Sequence, residues 1–539
     1  MTRAIPPRVQ ALEALEDRVL FSTYLVTGLG DGPGVVAAAG TGAFTATTLR
    51  AAVAAANARA GGDVVKFAAG VTGTISLGSP LPRVDDTLIV AGPGAAKLTV
   101  QRSATAGANF SVFYVNAGRT ATIGGLTIRG GTGTPADGAA AGDLGRGGGV
   151  YNAGTLMLAR AVVTANRGSE GGGVWNGGKV TLLNAAVADN RVDFGAGAGL
   201  FNAGVADLAN VTVSGNREEH EVGGGIYNEA GARLTVTGST IAGNAHSYGG
   251  AGGLVNHGAA TLSDTTVYGN FAYMGEAGGV FSDGTLAMTN CTVTKNAASY
   301  SGIGGVSAAG PAALFNTVAV DNTSASRYGS GLSDVLAYAV DPLSTGNVLG
   351  VVDAGLPAAG NKVGVSVAAA KLGPLAYNGG PTQTCALQAG SAAVNAGSNA
   401  RAAAARLWAD QRGLPRVSSG GRVDAGAFET PAAGGASVAG TVFDDRNHDG
   451  TRQTAEPLMA GWQVYVDRNR NGLYDAGEVT AFTTAAGTWR IGGLVAGTYR
   501  IAEVRYDGWT RTRPTAGYYE VTLATNQAVT GRNFGNYYL

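Results

Sequence analysis

The sequence predicts an all-β protein, a right-handed parallel β-helix solenoid followed by a small β-sandwich. Three observations carry this. A phrase recurs about every 26 residues through the middle of the chain. Between its landmarks only short runs of alternating apolar residues fit, and no helical pattern of ten residues does. Past residue 436 the phrase stops, charge becomes dense, and 3 of the 5 tryptophans appear. Composition agrees. Among 539 residues, 89 are Gly without a strict period of three, which excludes collagen. An apolar content of 45% with zero net charge excludes wholesale disorder. Lys plus Arg equal Asp plus Glu at 37 each, so no field draws in nucleic acid or an anionic membrane. No stretch reaches 18 apolar residues, so no membrane span is expected. Cys291 and Cys385 lie too far apart in sequence to suggest a disulfide framework.

The repeat has two landmarks. A glycine-led phrase reads Gly149-Val150-Tyr151-Asn152, Gly173-Val174-Trp175-Asn176, Gly199-Leu200-Phe201-Asn202, Gly225-Ile226-Tyr227-Asn228, Gly253-Leu254-Val255-Asn256 and Gly279-Val280-Phe281-Ser282, with Gly305-Val306 opening a weaker copy. A second Asn closes each unit, at 166, 190, 216, 244, 270, 296 and 322. Runs such as Thr155–Leu158 and Leu234–Val236 are strands of three to five residues. Strand, turn, strand, turn, strand, turn in this length is one coil of a β-helix. A propeller blade needs about 40–45 residues, and the leucine-rich skeleton is absent. Stacked coils place like on like, so the closing Asn is expected to form one amide column, and the doubled glycines to turn where a Cβ would clash.

The ends need caps. Thr48–Ala58 reads as an Ala-rich helix capped by Thr47 or Thr48, with Leu49, Val53 and Ala56 on one face, followed by a strand at Asp63–Phe67. This block resembles the opening coil of bacterial right-handed β-helix proteins. Before it, Leu12-Glu13-Ala14-Leu15-Glu16-Asp17-Arg18-Val19-Leu20-Phe21-Ser22 resembles the leader of large bacterial surface and exported proteins. Beyond Asn322 come Leu372–Leu375, Asn378–Thr384, Gly390–Gly397, Asp410–Arg416 and Val423–Glu429. Their order resembles an end segment of bacterial extracellular β-helix proteins, which closes the helix ahead of anchoring or accessory domains. Asp410, Arg412 and Asp424 read as structural, a buried Arg bridging carboxylates. The expected divisions are a leader over 1–25, the capped solenoid over 26–429, a flexible linker over 430–436 and a calcium-binding sandwich over 437–539.

Two loops of that last part carry chemistry. Counted from Asp445, the residues Asp445, Asn447, Asp449, Thr451, Gln453 and Glu456 occupy positions 1, 3, 5, 7, 9 and 12, with Gly450 at 6. Asp467, Asn469, Asn471, Leu473, Asp475 and Glu478 repeat the spacing, with Gly472 at 6. Short carboxylates and amides, one backbone carbonyl at position 7 and a closing Glu are the oxygen donors of a Ca²⁺ loop. With strands rather than helices on either side, such ions would pin loops and stiffen the module. From Val438 to Tyr537 the module resembles the B-type calcium-binding repeat of serine-aspartate-repeat surface adhesins. It shares Gly493–Tyr499, Gly508-Trp509, Pro514, Gly517-Tyr518 and Asn533–Tyr537 with that pattern. The resemblance implies a rigid, calcium-folded spacer.

No Ser-His-Asp, zinc-protease, P-loop or dinucleotide pattern is present. A polysaccharide lyase or hydrolase on a β-helix needs converging carboxylates, and the coils carry few. The richest turn is Glu218-Glu219-His220-Glu221, followed one and two coils on by His246 and Tyr248, then Tyr273 and Glu276. Asp189, Asp193, Asp207 and Asp264 look scattered. The expectation is therefore an extracellular or cell-surface structural or adhesive protein, not an enzyme. Its partner would be carbohydrate or another surface protein, and no catalytic residue is assigned. A polysaccharide-active enzyme of pectate-lyase type is the alternative.

Overall fold

The computed structural model describes residues 22–135, 144–220, 222–300, 302–326, 329–353, 355–357, 359–416, 421–430, 435–475, 477–506 and 509–538. The leader resemblance, save Ser22, lies outside them, as do Glu221 and most of the expected linker.

The chain winds as a right-handed parallel β-helix with three sheets of 21, 11 and 8 strands. One coil runs Val174–Asn176 and Lys179–Leu183 in the first sheet, Ala186–Ala188 in the second and Arg191–Val192 in the third. The next coil repeats it in parallel register, Val174 on Leu200 and Val187 on Val213. Alternation sends every second side chain inward. Val150, Val174, Leu200, Ile226, Leu254, Val280 and Val306 form one fully buried aliphatic column. Leu158, Leu182, Leu208, Val236, Leu262, Met288 and Leu314 form another. The glycine phrase sits where coils approach most closely: a Cβ on Gly173 would lie 2.5 Å from the carbonyl oxygen of Gly199.

The closing asparagines stack as expected. Each amide donates from Nδ2 to Oδ1 of the next, Asn166 to Asn190 at 2.9 Å and Asn216 to Asn244 at 2.9 Å, through to Asn296 on Asn322. The same Oδ1 accepts the backbone N–H of the rung below, at 3.0 Å between Asn190 and Asn216. Asp334 receives Asn322 at 2.8 Å and ends the column. Two further ladders accompany it. Asn152, Asn176, Asn202, Asn228 and Asn256 stack through 2.6–2.7 Å bonds. At a corner of left-handed backbone, Asn210 donates to Asn184, Asn290 to Asp264 and Asn316 to Asn290.

The N-terminal end is closed by the helix Leu49–Asn57, whose Thr48 Oγ1 accepts the Ala51 N–H at 3.1 Å. Its Leu49, Ala52, Val53 and Ala56 enter the core. The strand Ser22–Val26 pairs in parallel with Gly62–Phe67, so residues 22–25, read as leader from the sequence, belong to the first coil.

The segment after the repeats does not simply lie across the end. It runs back along the second sheet. Thr382 Oγ1 donates to the carbonyl of Gly238, Gln411 bonds Thr240 and Thr266, and the Ala427 N–H donates to Thr292 Oγ1. Thr240, Thr266 and Thr292 point away from the core and are nonetheless buried under it.

Residues 436–538 form two packed antiparallel-rich sheets of five and four strands around Trp462, Trp489, Ile491, Ile501 and Phe534. Their strands are Ala436–Asp444, Gln463–Val466, Thr480–Phe482, Thr488–Leu494, Gly497–Glu503, Trp509–Arg513, Tyr518–Leu523, Ala528–Val529 and Phe534–Tyr538. The module is docked on the solenoid's flank. Asn184 Nδ2 donates to Gln463 Oε1 at 3.1 Å, and the guanidinium of Arg160 sits 4.2 Å from the Tyr506 ring centre. Linker composition says nothing of such contacts, because the residues that make them lie outside it.

Candidate functional site

Three of the places where polar side chains gather among the described residues are the flank under the back-running segment, the outer edge of the third sheet, and the two acidic loops.

On the flank, Arg412 bonds Asp410 through Nε and Nη2 at 2.8 and 2.6 Å and donates to the carbonyl of Glu429. Asp424 accepts the N–H groups of Asn395 and Thr430. All three are buried and hydrogen-bonded, but Arg412 reaches only one carboxylate and Asp424 meets backbone N–H groups, so neither makes the expected bridge of an Arg between carboxylates. Sequence reasoning missed Arg416. It is 1% exposed and reaches Asp264, at 2.5 and 3.0 Å, and Glu429, at 3.2 Å. Asp264 is thus no scattered surface residue but a rung of the corner ladder that holds the back-running segment. Burial pushes Glu429 up to about 8. No local pattern announces a pair 152 residues apart.

The third sheet is where the polar turn of the sequence falls. Glu218 and His246 occupy successive inward positions and are buried. Glu218 accepts the His220 N–H. Burial pushes His246 down to about 4, so its ring is neutral at neutral pH. Glu219, His220, Tyr248 and Tyr273 face outward instead. The position four residues after the closing Asn recurs once per coil from Asn190 to Asn296, as Phe194, His220, Tyr248, Met274 and Tyr300, with Tyr273 beside Met274. Phe194 and His220 stack at 4.7 Å, and Tyr273 meets Tyr300 edge-on at 5.2 Å. Of seven exposed large aromatic side chains among the described residues, Phe194, Tyr248, Phe271, Tyr273 and Tyr300 are on this edge. Arg167, Arg191 and Arg217 stack beside it, with Asp193 bridging the first two. The register of Phe194 and Tyr300 was readable from the Asn spacing.

The other aromatic column, in the glycine phrase, is stacked on itself: Tyr114 on Tyr151 at 4.3 Å, Tyr151 on Trp175 at 4.4 Å and Phe201 on Tyr227 at 5.0 Å. Ala196 and Val222 of neighbouring turns cover it, leaving Trp175 and Phe201 buried.

The acidic loops share one hydrogen-bond plan. The position-1 carboxylate accepts the glycine N–H at position 6, at 2.8 Å for Asp445–Gly450 and 3.1 Å for Asp467–Gly472. The position-12 carboxylate accepts the N–H groups of positions 2 and 9, at 2.9 and 2.9 Å for Glu456 and 2.8 and 3.1 Å for Glu478. The Asn at position 3 accepts from position 5 at 3.2 Å in both. Position 4 is left-handed in each, His448 and Arg470. In both loops the same atom lacks a partner: Oδ1 of Asp445 and Oδ1 of Asp467 are buried without a hydrogen bond, as is Oε1 of Gln453. Burial pushes Glu478 up to about 7. Among the described residues, no three His, Cys, Asp or Glu side chains already converge as a metal cluster. The amides of Asn447, Gln453, Asn469 and Asn471 turn inward onto Asp449 and Asp475 instead.

No protein-family model matches the chain, and no curated protein matches it. It is similar to the solved pectate lyase Pel9A, with 14% identity over 76% of this chain and 97% of that one and a TM-score of 0.39. It is also similar to GBS52, the minor pilin of Streptococcus agalactiae, at 19% identity and a TM-score of 0.15. That match covers 20% of this chain and spans 45% of the pilin's length. The expectation that the chain is not an enzyme is corrected here. A solved structure similar along 76% of its length is a pectate lyase. Among the described residues no helix is long and apolar enough to cross a membrane. The sheet order and register establish an all-β right-handed parallel β-helix solenoid followed by smaller sandwich-like β-sheets.

Proposed function

We propose that this is an exported bacterial protein that engages a linear polysaccharide along the outer edge of its third sheet, in a body stiffened by Ca²⁺ at the two acidic loops. The edge carries the reading. A glycan chain and a solenoid are both one-dimensional repeats. Rings set once per coil, about 4.8 Å apart, offer apolar faces to sugar C–H groups. The stacked arginines and their carboxylates offer hydrogen bonds to hydroxyls, with charge near balance. Purified protein is assayed for binding and for new chain ends on neutral and acidic glycans. A Tyr248→Ala, Tyr273→Ala, Tyr300→Ala triple variant should bind roughly a hundredfold more weakly, from about 1 kcal/mol per ring. Its melting temperature should not move, since the rings are exposed. Equal binding by variant and parent, or no glycan bound at all, would sink the reading.

Ca²⁺ is supported by donor chemistry and by the orphaned oxygens. Asp445, Asn447, Asp449, Gln453 and Glu456, with the carbonyl of Thr451, are all oxygen donors. So are Asp467, Asn469, Asn471, Asp475 and Glu478 with the carbonyl of Leu473. A hard cation fits such a set. It would take up the unpartnered Oδ1 of each position-1 Asp. Bound at a hundredfold excess over Kd, each ion adds about 2.7 kcal/mol to stability. The melting temperature of the full chain should therefore rise in excess Ca²⁺ over chelator. An unchanged melt together with no calorimetric binding would remove the claim.

A further inference from the structure

We propose that the second acidic loop is a cation-dependent latch between the C-terminal module and the solenoid, while the first loop stiffens the module alone. This rests on the calcium reading above. In the second loop the residues that would hold the ion are interleaved with those that make the interface. Gly477, one residue before Glu478, presents its carbonyl to the N–H groups of Trp408 and Ala409 at 3.0 and 3.1 Å. Two residues after Glu478, the Thr480 N–H donates to the carbonyl of Gly413 at 2.9 Å. Arg468, next to Asp467, lays its guanidinium 4.1 Å from the Trp408 ring centre. Gly477 has φ +97, and a Cβ on it would sit 2.9 Å from the carbonyl oxygen of Arg406, so the two surfaces meet backbone to backbone.

The Glu478 carboxylate ties both ends of its loop, accepting from Arg468 and Asp475. Asp467 is 2% exposed and keeps one oxygen without a partner, while the other accepts the Gly472 N–H of the same loop. A cation bound there fixes Glu478, and with it the direction of the Gly477 carbonyl. Without one, Asp467, Asp475 and Glu478 repel one another, the loop relaxes, and the contacts to Trp408, Ala409 and Gly413 loosen together.

The first loop is built alike, and among the described residues its hydrogen bonds and ring contacts lie within its own module. His448 stacks on Tyr537 at 3.7 Å, the Asp445 N–H donates to the carbonyl of Asn536 at 2.7 Å, and the Gly450 carbonyl accepts from Arg513. Two loops of one design thus predict two different consequences.

The test is amide hydrogen exchange on the full chain in Ca²⁺ and in chelator, with Ca²⁺ calorimetry beside it. Chelation should speed exchange at Trp408, Ala409 and Thr480 by about tenfold or more, as should Glu478→Gln in Ca²⁺. Glu456→Gln should leave those amides within about twofold while loosening Asp445 and Gly450. If two ions bind and chelation leaves Trp408, Ala409 and Thr480 protected, the latch falls and the calcium reading stands. If Glu456→Gln frees the interface as much as Glu478→Gln, the latch also falls. If calorimetry shows no ion bound, both readings fall. The chelation arm needs no substitution, so a variant that fails to fold leaves the outcome decided.

Discussion

Replacing Arg416 by Met should destabilise the full chain by about 3–5 kcal/mol. The guanidinium is buried and serves two acids, Asp264 on the corner ladder and Glu429 on the back-running segment. Met fills much of the volume but returns no charge, which leaves the Asp264 carboxylate unpaired beside the Glu429 carboxyl in a dry site. A single Arg neutralises only one of them. Asp264 takes two short bonds, whereas Glu429 takes one at 3.2 Å. Glu429 is therefore the group that keeps its proton, consistent with burial pushing it up to about 8. The sign follows. The folded state holds a proton that the unfolded chain releases near pH 4.3, so stability should decline as pH climbs from about 4 to about 8. Glu429→Gln should remove its share of that decline, since a neutral amide fills the same place, and leave the shares of Asp264 and Glu503, which burial also raises. Denaturant midpoints at pH 5 and pH 8 for the three proteins settle it. A midpoint that rises with pH in the parent, or that Arg416→Met leaves in place, would show that the pair is not organised this way.

The second large effect is expected in the middle of the amide column. Asn216→Leu removes an acceptor used twice by Asn190 and a donor used by Val187 and Asn244, all buried. Leaving several buried groups unsatisfied costs about 3–5 kcal/mol in sum, although Leu matches the shape. Asn216→Asp restores the acceptor and not the donor, so it should recover only part of the loss. Solenoids unfold by neighbouring units, so the damage should show first as faster amide exchange in the coils at 190 and 244. Exchange no faster there than at Asn296 would refute a local ladder role.

Much of this architecture was legible because it is periodic. The 26-residue phrase fixed the coil, its aliphatic columns and the Asn166–Asn322 column, since stacking converts a sequence interval into a contact. The same logic gives the edge of Phe194, Tyr248 and Tyr300, which the sequence reading only half saw. It noticed Tyr248 and Tyr273 for their chemistry and not for their register. It also placed Glu218 and His246 with them, because composition does not tell inward from outward. The acidic loops were legible through local spacing alone. What stayed hidden is contact without period. Arg416 meets Asp264, Gln411 meets Thr266, and Asn184 meets Gln463, each pair far apart in sequence and made only when one segment is laid along another.

That laying-back has a consequence for size. The amide column by itself has no preferred length. Every rung donates the same way, and only Asp334 ends the series, so one more copy of the repeat would bond as well as the last. The returning segment removes this freedom. It is fastened at Gly238, Thr240, Asp264, Thr266 and Thr292, while the docked module is fastened farther back at Arg160 and Asn184. A duplicated coil inside that span would move every later fastening by about 4.8 Å while the earlier ones stayed in place. The protein counts its own coils, and a gene that gains or loses one between residues 160 and 292 must change the returning segment as well.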